Sequence, residues 1–186
     1  MGVMRRRSVL ALAAVFLAAG ACAGDGDATL RVGTLGTITV RPTPKAHVYD
    51  ASVVVCAGGA YVARACRCIR QLRAVGCTLP VEIVFAGIQE MPLHARQALI
   101  AANGEAGQIL FRNLYAKDAA VSGLKTVGAR GFQIKPFALY TARSRHAILL
   151  DADAVPLCNP ERLLRSHLYG KGALFFRDFD NTQWTV

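Results

Sequence analysis

The chain has 186 residues, of which 53% are hydrophobic and 18% are charged. This balance excludes an intrinsically disordered chain and supplies enough apolar residues for the core of one domain. The formal net charge of +10 favours an anionic partner, but the basic residues are scattered and no stripe of them alternates with aromatic residues. We therefore expect no nucleic-acid binding.

The amino terminus has the pattern of a targeting segment. Three arginines at residues 5–7 precede an apolar run over residues 9–23, and Asp25 ends the run. Small residues near its end fit a signal-peptide cleavage site. Without cleavage, the run would be a signal anchor that leaves the arginines in the cytosol. The residues themselves leave both outcomes open for a segment that we place at 1–24.

Residues 25–50 are predicted to be a stem or linker. They are rich in glycine, threonine and proline and have little apolar periodicity. Such composition is typical of turns and loops rather than of a packed element. The folded domain is therefore expected over residues 51–186.

That domain begins with the pattern of a β-α-β unit. A continuous apolar, β-branched run at 51–56 predicts a buried strand, and glycines follow it directly. Apolar residues at helical spacing predict a helix over 60–75, followed by a second strand at 81–85. A helix over 91–102 and a strand over 108–114 come next, whereas residues 115–131 have no clear pattern.

The second half continues the alternation. A helix is predicted over 132–142, a short apolar strand at 147–150, a short helix at 160–165 and a further strand at 172–176. Strands that alternate with helices predict an α/β fold with a mostly parallel sheet. Ligands of such sheets bind at the carboxyl ends of the strands.

Two carboxylates follow the strand at 147–150 directly, at Asp151 and Asp153. Residues two apart in an extended backbone project to the same side, so we expect both carboxylates to face one ligand. Their oxygens suit a hard divalent cation that also binds phosphate oxygens. A cation placed there would neutralise the charge that develops on a departing nucleoside diphosphate.

Five cysteines lie after the amino-terminal segment, which is an odd number for a protein in an oxidising compartment. At least one of them is therefore expected to be free or paired outside the chain. The spacing of Cys66 and Cys68 is not that of a zinc site. We expect buried thiols with at most one disulfide.

Several blocks of the sequence together resemble one family. The blocks read VVVCAGGAY at 53–61, IRQLRAVGCTLPVEI at 69–83, GFQIKPFALY at 131–140, AILLDADAVPL at 147–157 and GALFFRDF at 172–179. They resemble the α-1,2- and α-1,3-mannosyltransferases of the fungal Golgi, which extend mannan and glycoprotein glycans. These blocks are more specific together than the D-x-D motif is by itself.

The resemblance implies a GT-A fold, a Rossmann-like domain that binds nucleotide sugars. It implies a metal-dependent transferase that moves mannose from GDP-mannose to a glycan or glycoprotein acceptor with retention of configuration. Mn²⁺ is the implied cofactor. The implied topology is a single-pass type II protein of the Golgi membrane, with an N-terminal signal anchor and a lumenal catalytic domain.

The resemblance also implies roles for particular residues. Asp153 would be the main metal ligand, with Asp151 contacting the metal or the donor. The remaining candidates for donor binding are Ala57, Gly58, Gly59, Lys135 and Asp178. No residue is assigned as the catalytic base or nucleophile.

Members of this family continue well beyond the D-x-D block, whereas this sequence ends at Val186. We therefore expect an incomplete GT-A domain that holds mainly the donor half. Two alternatives stay open, namely a GT-A enzyme that uses a UDP-sugar and a truncated lumenal protein without catalytic activity.

Overall fold

The computed structural model describes residues 28–32, 34, 36–40, 48–117, 119, 121–167 and 169. The targeting segment, the strand expected at 172–176 and the candidate Asp178 lie outside these residues. Within the described part, no helix is long and apolar enough to cross a membrane.

The described residues alternate between strands and helices. Short 3₁₀ turns at Gly59–Tyr61, Ile88–Glu90 and Gly131–Ile134 lead towards three of the helices. The strands are β1 (Ala28–Val32), β2 (Gly36–Val40), β3 (Tyr49–Cys56), β4 (Val81–Phe85), β5 (Ile109–Asn113), β6 (Val121–Ser122) and β7 (Ser144–Asp151). The helices are α1 (Val62–Ala74), α2 (Leu93–Asn103), α3 (Lys135–Tyr140) and α4 (Glu161–Leu164).

Four of the strands form a parallel sheet in the order β5-β4-β3-β7. This arrangement confirms the predicted α/β class with a parallel sheet and is compatible with a Rossmann-like fold. The chain builds the sheet outward from β3 to β5 and then returns to add β7 on the other side of β3. The junction between β3 and β7 is therefore a topological switch point, where open α/β sheets bind ligands.

Both faces of the parallel sheet are covered. Alternate residues of β3 point to opposite faces, so Val53 lies in one core cluster and Val54 in the other. On the first face the sheet packs with α1 and α2, through residues such as Ile69 and Leu99. On the second face it packs with α3, where Phe137 is almost completely buried. Burial on both faces explains why the buried residues of β3 and β4 are mostly apolar, with Ser52 and Glu82 as the buried polar exceptions.

A second, antiparallel sheet contains β1, β2 and β6. Ile38 of β2 is only 1% exposed and belongs to the core cluster that α3 covers. The strands lie within the segment predicted to be a stem, so that prediction is wrong for residues 28–32 and 36–40. The glycine and threonine content suggested a linker, but the β-branched residues of β2 suit a strand that pairs on both sides.

The helix expected over 132–142 is shorter in the structure. Its first turn is the 3₁₀ turn Gly131–Ile134, and the α-helical part α3 has only six residues. Pro136 is accommodated near the helix start, where its missing N–H costs no hydrogen bond. The other helices agree with their predicted positions to within a few residues.

Candidate functional site

The two sequence segments that carry the site meet at the switch point. Cys56 and Asp151, the last residues of β3 and β7, are register partners in the parallel sheet. The glycine turn that follows β3 therefore begins at the same edge of the sheet as the D-x-D motif. Only the pairing of these two strands brings the segments together, since almost a hundred residues of sequence separate them.

The D-x-D motif bends at its first residue. Asp151 ends β7, and the N–H of Ala154 donates to its carbonyl oxygen at 3.0 Å, which closes a turn. The expectation of an extended backbone through both aspartates is therefore wrong. Both carboxylates remain accessible, with side-chain exposures of 52% for Asp151 and 57% for Asp153.

Lys135 lies beside the motif. It is the first residue of α3, and its Nζ forms an ion pair with Oδ1 of Asp151. The same ammonium lies 4.4 Å from the centre of the Phe132 ring, an arrangement that favours a cation over an aromatic face. The ring itself is 72% exposed. The structure thus places Lys135, a predicted donor-binding residue, next to Asp151, one of the predicted metal ligands.

The second aspartate has a cationic neighbour that the sequence did not indicate. Nη1 of Arg64, in the first turn of α1, lies 3.5 Å from Oδ2 of Asp153. The guanidinium also stands over the ring of Tyr61, 5.2 Å from its centre. Arg64 is one of several arginines on α1, and no spacing in the sequence distinguishes it from the others. Each carboxylate of the motif therefore faces a cation that rests on an exposed aromatic ring.

The turn after β3 is shaped by two glycines with different requirements. The N–H of Ala57 donates to Val84 at 3.0 Å and so continues the sheet. A Cβ on Gly58 would lie 2.5 Å from Oε2 and 2.8 Å from Cβ of Glu90, so only glycine fits there. Gly59 has a φ of +52°, in the left-handed region that glycine adopts at little cost. The close approach at Gly58 thus involves a side chain of this protein, Glu90.

A buried ionic network fixes α3 to the sheet. Glu82 of β4 is fully buried, and its carboxylate accepts hydrogen bonds from Ser52 Oγ at 2.6 Å and from the N–H of Arg143 at 3.0 and 3.1 Å. Nε of Arg112 lies 2.7 Å from Glu82 Oε2, an ionic contact whose N–H direction does not make a good hydrogen bond. The Arg112 guanidinium also donates to the carbonyl oxygen of Ala138 at 2.9 Å.

This network bears on the site because it holds the helix that carries Lys135. Arg112 donates at 2.8 Å to the carbonyl oxygen of Thr141, just beyond the end of α3. The carbonyl groups that end a helix have no partner within it, so a cation there satisfies them. Burial lowers the pKa of the Arg112 guanidinium, while the charge of Glu82 raises it.

The cysteines near the site are not poised for nucleophilic chemistry. Burial raises the pKa of the Cys56 thiol to about 11, with a smaller opposing effect of Lys135. Burial, together with the charges of Asp153 and Asp151, raises the pKa of Cys68 to about 11 as well. Both are therefore protonated at neutral pH. Cys56, Cys66, Cys68, Cys77 and Cys158, the cysteines of the described residues, are all free thiols.

The residues present fit a divalent cation only as part of a shared site. Among the described residues, no group of three or more His, Cys, Asp or Glu side chains converges on one point. Asp151 and Asp153 are accessible oxygen donors, and a hard cation bound there would take its remaining ligands from water and from the oxygens of a ligand. That chemistry is the one expected for a cation bound together with a diphosphate.

Comparison with known proteins identifies the family. The family model described as "Mannosyltransferase putative" matches residues 52–185, which is more than half of the chain. The chain is also 29% identical, over 117 residues, to the α-1,2-mannosyltransferase MNN21 of Candida albicans. That alignment covers 61% of this chain and 18% of the Candida protein, so the chain spans less than a fifth of that relative.

The matched residues include most of β3, the glycine turn, Lys135 and the D-x-D motif, and thus the whole switch-point site. Fold and family match therefore agree with the resemblance drawn from the sequence. The chain belongs to this mannosyltransferase family.

Proposed function

We propose that the chain forms the donor-binding part of a mannosyltransferase that moves mannose from GDP-mannose to a glycan acceptor. The observation that carries this proposal is the position of the D-x-D motif. Two accessible carboxylates and two cations lie together at the carboxyl ends of β3 and β7, where parallel sheets bind nucleotides. Membership of the mannosyltransferase family supports mannose as the sugar that is transferred.

Asp151 and Asp153 would hold the divalent cation, for which Mn²⁺ is the candidate. When bound, the cation would neutralise negative charge on the diphosphate of the donor. Among the described residues, Lys135 and Arg64 form ion pairs with these carboxylates, so a diphosphate bound at the motif would lie close to both cations. Their charges would stabilise the departing GDP as the bond to mannose breaks.

Three further features belong to the same proposal. The reaction would retain the configuration at the anomeric carbon, since both the donor and the product of this family are α-linked. The acceptor would be a mannoside of a glycan or glycoprotein. The protein would act in the Golgi lumen, held in the membrane by an uncleaved segment at residues 1–24.

Calorimetry of GDP-mannose binding to the full chain tests the proposal. We expect binding in the presence of Mn²⁺ and an affinity at least about tenfold lower with EDTA. Mutation of a residue that merely supports a metal ligand already lowers metal affinity or activity about 10- to 100-fold, so removal of the metal should cost at least as much. Asp153→Asn should cause the same loss with Mn²⁺ present. Asp50→Asn is the matched control, because Asp50 is exposed near the opposite end of β3, about 20 Å from Cys56.

A folded chain that binds GDP-mannose equally well with Mn²⁺ and with EDTA would refute the metal site. Binding of a UDP-sugar in place of GDP-mannose would refute the assignment of GDP-mannose as the donor. Transfer itself is measured as GDP release that requires a mannoside acceptor, and the anomeric configuration of the product is read by NMR.

A further inference from the structure

A cavity of about 490 Å³ lies beyond the carboxyl ends of β4 and β5, on the side of β3 opposite to β7. This volume is within the range of small-molecule sites in proteins, about 300–1,000 Å³. The backbone and side chains of residues 86–90 form one wall, and Asn113, Tyr115, Lys125 and Arg130 line the rest. None of these residues was predicted from the sequence to be part of a binding site.

The cavity adjoins the turn that follows β3. Glu90 lines the cavity, and its side chain lies so close to Gly58 that a Cβ on Gly58 would meet its Oε2 at 2.5 Å. A ligand that has its diphosphate near the turn and the D-x-D motif would thus have this cavity next to it.

Asn113 presents one type of hydrogen-bonding group to the cavity. Its Oδ1 accepts from the N–H of Gly87 at 2.9 Å and from the N–H of Tyr115 at 3.0 Å. These two bonds fix the orientation of the amide, so that its Nδ2 donors remain for a ligand. Tyr115 in turn donates its hydroxyl to the carbonyl oxygen of Ala129 at 2.6 Å, which closes the adjacent wall.

The charges of the cavity favour an anionic ligand. Lys125 and Arg130 line it, and neither forms an ion pair with a carboxylate of the described residues. Glu90 is the carboxylate of the lining and is likewise without an ion-pair partner there. The ligand should therefore carry negative charge overall and also present N–H groups to Glu90.

We propose that this cavity binds the guanine base of the donor nucleotide, with Glu90 accepting from its N1–H and 2-amino group and Asn113 donating to its O6 oxygen. The edge of guanine has two adjacent donors beside one acceptor, which matches a carboxylate beside an amide N–H. Uracil presents two carbonyl oxygens around a single N–H, and the carboxylate would repel both oxygens. This inference rests on the proposed function, because it assigns the base of the same donor.

The first test needs no variant. Binding of GDP, inosine diphosphate and UDP to the full chain is compared by calorimetry with Mn²⁺ present. Inosine diphosphate lacks only the 2-amino group, so we expect it to bind about tenfold more weakly than GDP, with UDP weaker still. Equal affinity for GDP and inosine diphosphate would overturn the assignment of Glu90 while GDP-mannose binding, and with it the proposed function, stands.

The second test reverses the preference. Glu90→Gln replaces one acceptor by an N–H donor, so GDP binding should fall about 10- to 100-fold and xanthosine diphosphate, which has an oxygen at position 2, should bind better than it does to the unaltered chain. A damaged fold cannot produce such a gain. Glu105→Gln, an exposed glutamate after α2, is the matched control and should change neither affinity.

Asn113→Asp tests the opposite side of the base. The substitution keeps an oxygen for the N–H groups of Gly87 and Tyr115 but removes the amide donors, so GDP affinity should fall about tenfold. Unchanged GDP affinity in both Glu90→Gln and Asn113→Asp would overturn the inference alone. A folded chain that binds neither GDP nor GDP-mannose would overturn the proposed function together with it.

Discussion

Glu82 is the least expected residue of the sheet, because its carboxylate is fully buried in a strand whose other residues are apolar. A buried charge is tolerated only when it is paired and hydrogen-bonded. Ser52, Arg112 and the backbone of Arg143 together meet that requirement. The charge therefore ties β4 to β5 and to the start of β7.

Removing one member of this pair should destabilise the protein strongly. Arg112→Met leaves Glu82 buried without its counter-ion, and we expect the free energy of unfolding to fall by about 3–5 kcal/mol. The double variant Glu82→Met/Arg112→Met leaves no unpaired charge and should be more stable than the single variant. Urea unfolding measures both.

Arg145→Met, at an exposed arginine of β7, is the control and should lie within about 0.5 kcal/mol of the unaltered chain. A cost below about 1 kcal/mol for Arg112→Met would show that the ion pair contributes little to the fold.

At the scale of elements, α1 determines how the buried cysteines behave. Cys66 and Cys68 lie on its buried side, and Cys77 lies just beyond its end. Burial raises the pKa of Cys66 and raises those of Cys68 and Cys77 to about 11. The helix packs these thiols against the sheet in their neutral form.

Stability should therefore fall between pH 9 and pH 11. The unfolded chain releases these thiol protons near pH 9, whereas the folded chain keeps them until about pH 11, so rising pH favours unfolding across that window. We expect each of these thiols to contribute a loss on the order of 1 kcal/mol per pH unit. Urea unfolding at pH 8, 9, 10 and 11 measures it.

Cys68→Ala provides the control, since it removes one of the titrating groups and should flatten the decline. An identical pH profile for Cys68→Ala would assign the alkaline loss to other groups, such as tyrosines and lysines.

At the scale of the whole molecule, the small antiparallel sheet is part of the domain. Ile38 of β2 packs in the same core cluster as Val54 of β3 and Phe137 of α3. Ile38→Ala should therefore cost about 2–5 kcal/mol, because it leaves a cavity in a core that the two sheets share.

Thr37→Ala, one residue earlier and exposed, should be close to neutral and serves as the control. Urea unfolding of the full chain measures both variants. If Ile38→Ala were as neutral as Thr37→Ala, residues 36–40 would be the linker that their composition suggests.

The sequence predicted the central elements because their signals are local. The apolar runs of β3 and β4 and the helical spacing of α1 placed these elements to within a few residues. By contrast, β1 and β2 were missed, because glycine and threonine hide a strand whose partner, β6, lies about eighty residues later. The pairing of β2 with β6 is a long-range contact that no local window contains, whereas β1 and β2 pair with each other in a local hairpin.

The candidate site likewise contains residues that the sequence predicted and residues that only the structure revealed. The D-x-D motif and residues 57–59 lie at the ends of predicted strands, and Lys135, which the family resemblance marked for donor binding, lies within a predicted helix. Arg64 and Glu90 were not predicted, because an arginine on a helix and a glutamate in a turn are ordinary in a sequence. Their importance comes from the side chains that they meet, Asp153 for one and the backbone of Gly58 for the other.

The sequence by itself thus determined the α/β class, the parallel strands and the position of the carboxylates at a strand end. Hydrophobic periodicity is a property of residues that are close in sequence, so it can be recognised without knowledge of the fold. The tertiary structure alone decided that β7 lies beside β3, that each aspartate faces its own cation and that a cavity opens beside the glycine turn. These contacts depend on which distant segments pack together, and packing is settled by the whole chain at once.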